Sequence, residues 1–300
     1  MDELEFSEKL VAEEKFMIAG WRQWADAGSV SSGLPRYLIS LTHARKIGEI
    51  NPKGFYIFQV PGMHYFLRPT IKLAEGRRQE LAVRKNEFFY SGNDQKGLVI
   101  FSGEEPHLNV EGYADVFFDA VQTLGVKRVA VVGGVYGPVP YDKDRDVSCS
   151  YSLRKMKDDL ARYAVKFSNY EGGVSIGSYL AKEAEERGIE YFSWYAVVPA
   201  YDFSQIEPEL QGLGLETDLR AWYELTLRLN RMFGLRLDLA ELERQGAEIT
   251  STMEAQVREL AREHPQVREY MEKIAQEFSE TPYNPLDDVW EQALGDILND

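Results

Sequence analysis

Two stretches decide the fold, Leu98-Val-Ile-Phe-Ser-Gly-Glu-Glu-Pro106 and Val129-Ala-Val-Val-Gly-Gly-Val-Tyr-Gly-Pro-Val-Pro140. Each begins with a short run rich in β-branched residues and reaches glycine, as expected for strands that are buried on both faces of a parallel sheet. Between them, apolar residues recur at helical spacing, at Val110, Ala114, Phe117, Phe118, Val121 and Leu124. Together the segments predict a β-α-β unit with a crossover helix, and hence an α/β fold.

Further elements are predicted on both sides of this unit. Apolar runs predict strands at residues 15–20, 55–60, 146–153 and 189–198, the last of them ended by Pro199. A helix is expected at residues 29–41, and another from the glycine-rich turn at residues 170–177 to about residue 187. Alternation over residues 79–90 before a Ser-Gly-Asn-Asp turn predicts an antiparallel return, so we expect a mixed, mostly parallel sheet.

The last third of the chain has a helical pattern. Three apolar stripes at helical spacing run from Leu219 to Phe233, from Leu239 to Leu260 and from Val267 to Phe278. We therefore expect an α/β core at residues 1–205, a helical extension at residues 206–280 and an acidic C-terminal tail at residues 281–300.

Composition excludes several classes of function. Hydrophobic residues at 44% and charged residues at 28% are typical of a folded globular protein. A net charge of -15 argues against nucleic acid or an anionic membrane as partner, because both require clustered Lys and Arg. The single cysteine, Cys149, cannot form an intrachain disulfide, and neither a signal peptide nor a membrane-spanning run is visible. We expect a soluble cytoplasmic protein.

Motifs for metal or cofactor chemistry are absent from the sequence. The four histidines, His43, His64, His107 and His264, have no His or Cys partner at ligand spacing, so we expect no metal site and no cofactor. The Gly172-Gly-Val-Ser-Ile-Gly177 turn looks like a phosphate-binding loop, but it lacks the lysine. Close packing of the backbone is therefore the preferred interpretation of these glycines.

The residues that follow the predicted strands are the candidate site. Parallel strands gather their carboxyl ends at one edge of a sheet, which is where open α/β sheets bind ligands. The candidates are Asp26, Gly103, Glu104, Glu105, Gly133, Gly134, Tyr136, Glu171, Gly172 and Tyr201. Paired carboxylates in a partly apolar pocket would suit acid–base chemistry or a hard cation. Helix capping, with Glu104 and Glu105 serving the helix that follows them, is the alternative that we rank first.

Five of these segments, in this order, resemble the PAC2 family, which is named for the second proteasome assembly chaperone. They are Gly20-Trp21 with Asp26-Ala-Gly28, Ser102-Gly-Glu-Glu-Pro106, Gly133-Gly-Val-Tyr-Gly-Pro-Val-Pro140, Tyr170-Glu-Gly-Gly-Val-Ser-Ile-Gly177 and Val197-Val-Pro-Ala-Tyr201. The resemblance covers roughly residues 15–205. It implies a three-layer α/β sandwich of the purine nucleoside phosphorylase type with a mostly parallel mixed sheet, to which the C-terminal helices are added.

The resemblance also implies a function. Relatives frequently form homo-oligomers, often trimers, and some act as scaffolds for proteasome subunits, so we expect a non-enzymatic oligomeric scaffold with an unidentified protein client. The alternative is a protein that binds or converts a nucleoside- or nucleotide-like molecule at the strand edge. Relatives that dock into the proteasome carry a C-terminal hydrophobic-Tyr-any-residue tail, whereas this chain ends Asp296-Ile-Leu-Asn-Asp300, so docking by that route is not expected.

Overall fold

The structure is a computed structural model that describes residues 4–59, 68–204, 206, 210, 212–281 and 283. The strands are β1 (Leu4–Phe6), β2 (Glu14–Arg22), β3 (Arg45–Ile50), β4 (Thr70–Ala74), β5 (Arg77–Ala82), β6 (Glu87–Gly92), β7 (Lys96–Glu104), β8 (Arg128–Gly137), β9 (Val147–Tyr151), β10 (Lys166–Phe167), β11 (Glu190–Tyr201) and β12 (Leu213–Gly214). The helices are α1 (Val30–Leu41), α2 (Val110–Thr123), α3 (Lys157–Ala161), α4 (Ile176–Glu186), α5 (Leu219–Phe233), α6 (Ala240–Glu263) and α7 (Pro265–Glu277).

One mixed sheet carries most of the strands, in the order β1-β3-β6-β7-β2-β8-β11-β9-β10, with β12 beside β11. Its four central strands, β7, β2, β8 and β11, run parallel to one another. The β-α-β unit is confirmed as β7, α2 and β8, and β2 lies between its two strands. The expected antiparallel return is confirmed for β6, which pairs with β7 through the turn that follows Gly92. Residues 79–82 of the predicted segment belong instead to β5, which pairs with β4 in a separate hairpin.

Helices cover both faces of the sheet, and two separate apolar cores result. Alternate residues of a strand point to opposite faces, so Phe101 packs with Phe117 of α2 on one side. Its neighbour Ile100 lies in the other core, with Leu34 of α1 and Leu225 of α5. Helix α4 belongs to the first core through its buried apolar residues. The three-layer α/β sandwich predicted from the sequence is confirmed.

The strand expected at residues 55–60 is wrong for its described part, because residues 55–59 form a loop. Phe55 is buried and packs edge-on against the ring of Tyr113, with 5.3 Å between the centroids. Its carbonyl oxygen accepts hydrogen bonds from the backbone N–H groups of His107 and Leu108. The segment is therefore held by the loop before α2 rather than by a sheet ladder, and Val60 and the expected Pro-Gly stop lie outside the described residues.

The strand expected to end at Pro199 is longer than predicted, since β11 continues to Tyr201. Strand β9 pairs only with residues 192–196 of β11, so Pro199 lies beyond that ladder. On the other side, Pro199 still stands in register with Gly137 of β8. A proline lacks the N–H of a ladder donor, and it is tolerated where one side of the strand has no partner.

A buried ion pair fixes α5 to the loop between β8 and β9. Arg145 Nε donates to Asp218 Oδ2 at 2.8 Å, and the two side chains are 1% and 0% exposed. Asp218 Oδ1 also accepts from the backbone N–H of Ala221 at 3.1 Å and so caps α5. The same Asp218 donates its own N–H to the carbonyl of Gly28, in the loop before α1.

Glu224 extends this buried network along α5. One carboxylate oxygen accepts from the Arg145 backbone N–H at 2.8 Å, and the other lies 3.2 Å from Nε of Arg220. Burial, reinforced by the nearby negative charge of Asp144, raises the pKa of Glu224 to about 7. The folded protein therefore holds a proton on Glu224 at mildly acidic pH.

The three helices expected in the last third of the chain are confirmed as α5, α6 and α7. Helices α6 and α7 form a third apolar cluster with Tyr201 and Phe203, at the end of β11. The division at residue 205 stays a prediction, and most of the expected acidic tail lies outside the described residues. Among the helices that the structure describes, none is long and apolar enough to cross a membrane.

Candidate functional site

The carboxyl ends of three parallel strands, β2, β8 and β11, open into a cavity of about 580 Å³. Three of the candidate residues line it, namely Asp26, Gly134 and Tyr136. The remaining wall comes from the loop after β2, from β9, from β11 and from the segment that enters α4. Its other lining residues are Gln23, Trp24, Ala25, Ala27, Val135, Ser148, Ser150, Ser168, Tyr170, Gly173, Ser175, Ser178 and Tyr195.

Asp26 serves the start of α1. Its Oδ1 accepts from the backbone N–H of Ser32 at 2.8 Å, and its backbone forms an isolated parallel bridge with Gly134. Burial raises the pKa of Asp26, although the hydrogen bonds from Ser32 and Ser31 oppose that shift. The carboxyl is thus a capping group on the cavity wall, where a ligand would find an acceptor.

The two glycines of β8 allow the backbone to approach its neighbours closely. A Cβ on Gly134 would lie 2.1 Å from the carbonyl oxygen of Ala27, and a Cβ on Gly133 would lie 2.3 Å from the ring of Tyr195. Real Cβ atoms do not approach so closely, so any larger residue would displace the loop before α1 or the tyrosine. Of the two, Gly134 lines the cavity. Gly103 lies outside the lining, and a Cβ there would meet the ring of Phe101 at 2.5 Å.

Glu105 caps a helix, but a different one from the helix expected. One of its oxygens accepts from the N–H of Ile176 at 2.7 Å, at the start of α4, and the other accepts from the N–H of Trp24 at 3.1 Å. The predicted role at α2 is therefore wrong for Glu105. The carboxylate occupies the amide end of α4 and fixes the loop that carries Trp24.

Glu104 faces a different region from Glu105. Its carboxylate pairs with Arg84 Nη1 at 2.6 Å, and its carbonyl oxygen accepts from the hydroxyl of Tyr56 at 2.7 Å. Glu104 lines a separate cavity of about 610 Å³ with Arg22 and Arg84. The two adjacent carboxylates accordingly do not form the acid pair that the sequence made possible.

The last three candidates divide between the cavity edge and the core. Glu171 and Gly172 lie in an exposed loop, between the cavity-lining residues Tyr170 and Gly173. Tyr201 is buried and donates its hydroxyl to the carbonyl of Val139 at 2.7 Å. It packs with α6 and α7, so the expectation that Tyr201 joins the other candidates is not met.

Sequence reasoning missed the serine hydroxyls of the cavity. Val147 and Cys149 of β9 point to the core, and strand alternation therefore places Ser148 and Ser150 on the opposite side, where both line the cavity. Tyr195 of β11 was missed in the same way. That alternation was visible in the sequence, but only the apolar positions of these strands were used.

Electrostatically, the cavity is neutral to acidic. Its described lining contains one carboxylate, Asp26, and no Lys, Arg or His. The hydroxyls of Tyr195 and Ser175 lie 3.0 Å apart and bond to each other. In the part of the chain that the structure describes, no group of three or more His, Cys, Asp or Glu side chains is placed to hold a metal ion. The described wall therefore offers hydroxyls and aromatic faces, with Asp26 as its charged group.

Large apolar side chains stand exposed around the mouth of this cavity. Trp24 is 69% exposed and Tyr170 is 67% exposed. We call the following set the cavity rim: Trp24, Val135, Tyr136, Tyr170 and Val174. A contiguous exposed apolar surface of this kind marks an interaction site more often than a chance surface.

Comparisons with known proteins agree on one family. A model of the PAC2 family matches residues 21–257. A crystal structure of a PAC2 family protein from Streptomyces avermitilis is similar with a TM-score of 0.69 and 21% identity, covering 84% of this chain and 99% of that chain. A comparison with curated proteins finds no match.

Two further similar structures carry functional descriptions. A proteasome-assembly chaperone homologue from Mycobacterium tuberculosis has a TM-score of 0.67 and 19% identity, over 80% of this chain and 94% of that one. An archaeal proteasome activator from Pyrococcus furiosus has a TM-score of 0.59 and 17% identity, over 84% of this chain and 97% of that one. At such identities the likeness shows a shared fold.

Proposed function

Because the chain belongs to the PAC2 family, we propose that it is a non-enzymatic interaction or assembly factor that works as a homo-oligomer in the cytoplasm. Its partners are further copies of itself and a client protein, rather than nucleic acid or a membrane. The assembly and activation roles named for two of its structural neighbours support a protein client.

The exposed cavity rim is the observation that carries this proposal. Trp24, Tyr136 and Tyr170 are aromatic side chains at the surface, and such residues dominate the centres of protein interfaces. The carboxylates that would perform acid–base chemistry are instead engaged in the fold: Glu105 caps α4, and Glu104 pairs with Arg84. A surface of this kind suits docking better than catalysis.

Light scattering coupled to size-exclusion chromatography tests the proposal. The chain has a mass of 34.3 kDa, so the full-length protein at micromolar concentration should elute as a defined multiple of that mass. A single species at 34.3 kDa over the whole concentration range would overturn the oligomeric scaffold. Varying the protein concentration provides the control, because association shifts by mass action whereas an elongated monomer does not.

The volume of the cavity favours a second candidate function, the binding of a small molecule. About 580 Å³ is enough for a nucleoside-sized ligand, and serine and tyrosine hydroxyls line the wall. Since the described lining holds no cation and Glu105 already occupies the first amide of α4, the ligand would not be an anion.

A thermal-shift comparison of nucleosides with their 5′-monophosphates tests this second candidate. The nucleoside should raise the melting temperature and its monophosphate should not, because the phosphate would meet Asp26 and no positive charge. Inorganic phosphate and divalent cations serve as the negative controls. If no member of the panel stabilises the protein, or if the monophosphates stabilise it more than the nucleosides, the small-molecule function is refuted.

A further inference from the structure

Exposed apolar side chains concentrate in two places on this molecule. Among the described residues, twelve large apolar side chains are exposed, and five of them form the cavity rim. Four others lie on the hairpin of β4 and β5 and its continuation, and we call this set the hairpin face: Ile71, Leu73, Leu81 and Val83. Nine of the twelve therefore belong to two patches, which remain exposed among the residues that the structure describes.

The hairpin presents its apolar residues on one side. Ile71 and Leu81 stand directly opposite each other in the β4–β5 register, so their side chains share a face. Leu73 lies two residues farther along β4, past an irregularity in the register at Lys72, and Val83 directly follows the end of β5; both side chains are exposed. Every residue of β4 and β5 is exposed, and Ile71 remains 56% exposed.

Such a hairpin needs a partner to be stable. A two-stranded hairpin that packs on nothing is marginally stable in water, and its apolar face adds a cost of exposure. The strands of the main sheet, by contrast, bury most of their apolar side chains in the two cores. The hairpin face thus has the character of half of an interface.

Charge favours a second copy of this chain as the partner that covers the hairpin face. Residues 68–85 carry six Lys or Arg and two Glu, which gives the segment a net charge of +4 in a chain of net charge -15. The rest of the chain therefore carries -19. Three carboxylates lie beside the cavity rim, Asp26 in the lining and Glu105 and Glu171 in the adjoining loops, and the Arg22 guanidinium at the end of β2 also acts on Asp26. A basic apolar surface and an acidic aromatic surface on the same chain are complementary.

We propose that the hairpin face of one copy packs onto the cavity rim of the next copy. This inference rests on the self-association in the proposed function and names the surfaces that form it. Because the two surfaces differ, the contact is heterologous, and repetition of it closes a ring when the rotation between copies allows closure. The aromatic residues Trp24 and Tyr170 lie at the centre of the contact and should contribute most of its affinity.

Complementation between two surface variants tests the proposal. The hairpin variant Ile71→Ser/Leu81→Ser and the rim variant Trp24→Ser/Tyr170→Ser each lose one half of the contact. Each alone should elute at the monomer mass of 34.3 kDa, whereas an equimolar mixture should form a heterodimer of about twice that mass. The mixture retains one intact hairpin and one intact rim, so association stops at two chains.

Matched controls separate this contact from a loss of folding. The variant Lys72→Ser/Glu80→Ser changes a facing pair at the two positions that alternate with Ile71 and Leu81, and it should keep the wild-type mass. Circular dichroism spectra should be unchanged in all variants, because the substituted side chains are exposed. If the wild-type protein is oligomeric but the hairpin variant keeps the oligomer, or if the mixture stays monomeric, the proposed contact is wrong while the scaffold function stands. A monomeric wild-type protein would overturn the scaffold function itself.

Discussion

Removing Asp218 should destabilise the protein more than any surface substitution. The side chain is fully buried, pairs with Arg145 at 2.8 Å and caps α5 through Ala221 at 3.1 Å. In Asp218→Ala the guanidinium of Arg145 would remain buried without its counter-charge, which costs about 3–5 kcal/mol. Loss of the cap contributes about 1 kcal/mol to the same substitution. Total stabilities of about 5–15 kcal/mol are typical, so this loss is a large fraction of the whole.

Urea unfolding followed by tryptophan fluorescence measures that loss, because the chain contains five tryptophans. The midpoint should fall while the dependence on urea stays constant, which marks a change in stability rather than in compactness. Glu8→Ala is the matched control, since Glu8 also pairs with an arginine, Arg45, but the two side chains are 35% and 55% exposed. An exposed pair is worth about 0–1 kcal/mol.

The double variant Arg145→Met/Asp218→Ala sharpens the test. Removing both charges avoids the uncompensated buried cation, so the double variant should lose less stability than the sum of the two single variants. Two results would refute the reasoning: a loss for Asp218→Ala no larger than the loss for Glu8→Ala, or simple additivity in the double variant. Either result would mean that the buried charge of Arg145 finds adequate compensation elsewhere.

Three other substitutions probe a helix cap, a close backbone contact and a buried acid. Glu105→Ala removes both backbone hydrogen bonds of its carboxylate and should cost about 2 kcal/mol in urea unfolding. Glu186→Gln, on the helix that Glu105 caps, should cost less than about 0.5 kcal/mol, and equal losses for the two variants contradict the cap. Gly134→Ala places a Cβ 2.1 Å from a carbonyl oxygen and should cost at least about 2 kcal/mol in the same assay. In the control Gly214→Ala the new Cβ lies 3.5 Å from its nearest neighbour and should be tolerated, so equal tolerance of the two variants refutes the close contact. From pH 4.5 to about 7 the folded protein keeps a proton on Glu224 that the unfolded chain releases, so the free energy of unfolding should fall as pH rises. Glu224→Gln should remove about 3 kcal/mol of that fall, and an unchanged dependence of stability on pH contradicts the buried acid.

The central unit of the fold was predictable because its evidence is local. Strands β7 and β8 are continuous apolar runs and α2 has a clear helical stripe, so each element is specified by its own residues. The loop at residues 55–59 was predicted wrongly because the contacts that hold it are not local. Its aromatic run resembles a strand, but the backbone of Phe55 bonds to residues 107 and 108, and one segment cannot reveal such a partner.

The candidate site was predictable only in position. The rule that parallel strands gather their carboxyl ends located Asp26, Gly134 and Tyr136 at one cavity. It could not tell that Glu105 would cap α4, because Ile176 lies 71 residues farther along the chain. Nor could it identify Arg145 and Asp218, which are 73 residues apart and carry no motif. Long-range pairs of this kind arise from tertiary packing and leave no local pattern.

These long-range contacts hold the wall of the cavity that we propose as a docking surface. The loop before α1 is held on one side by Gly134, whose lack of a side chain lets it reach the carbonyl of Ala27. From behind, Asp218 donates its N–H to the carbonyl of Gly28, and Trp222 Nε1 donates to the same oxygen at 3.1 Å. On the other side of the cavity, Glu105 ties the loop that carries Trp24 to α4. The exposed aromatic residues therefore stand on a rigid frame, and a partner that binds them does not have to order the wall first, which lowers the entropic cost of association.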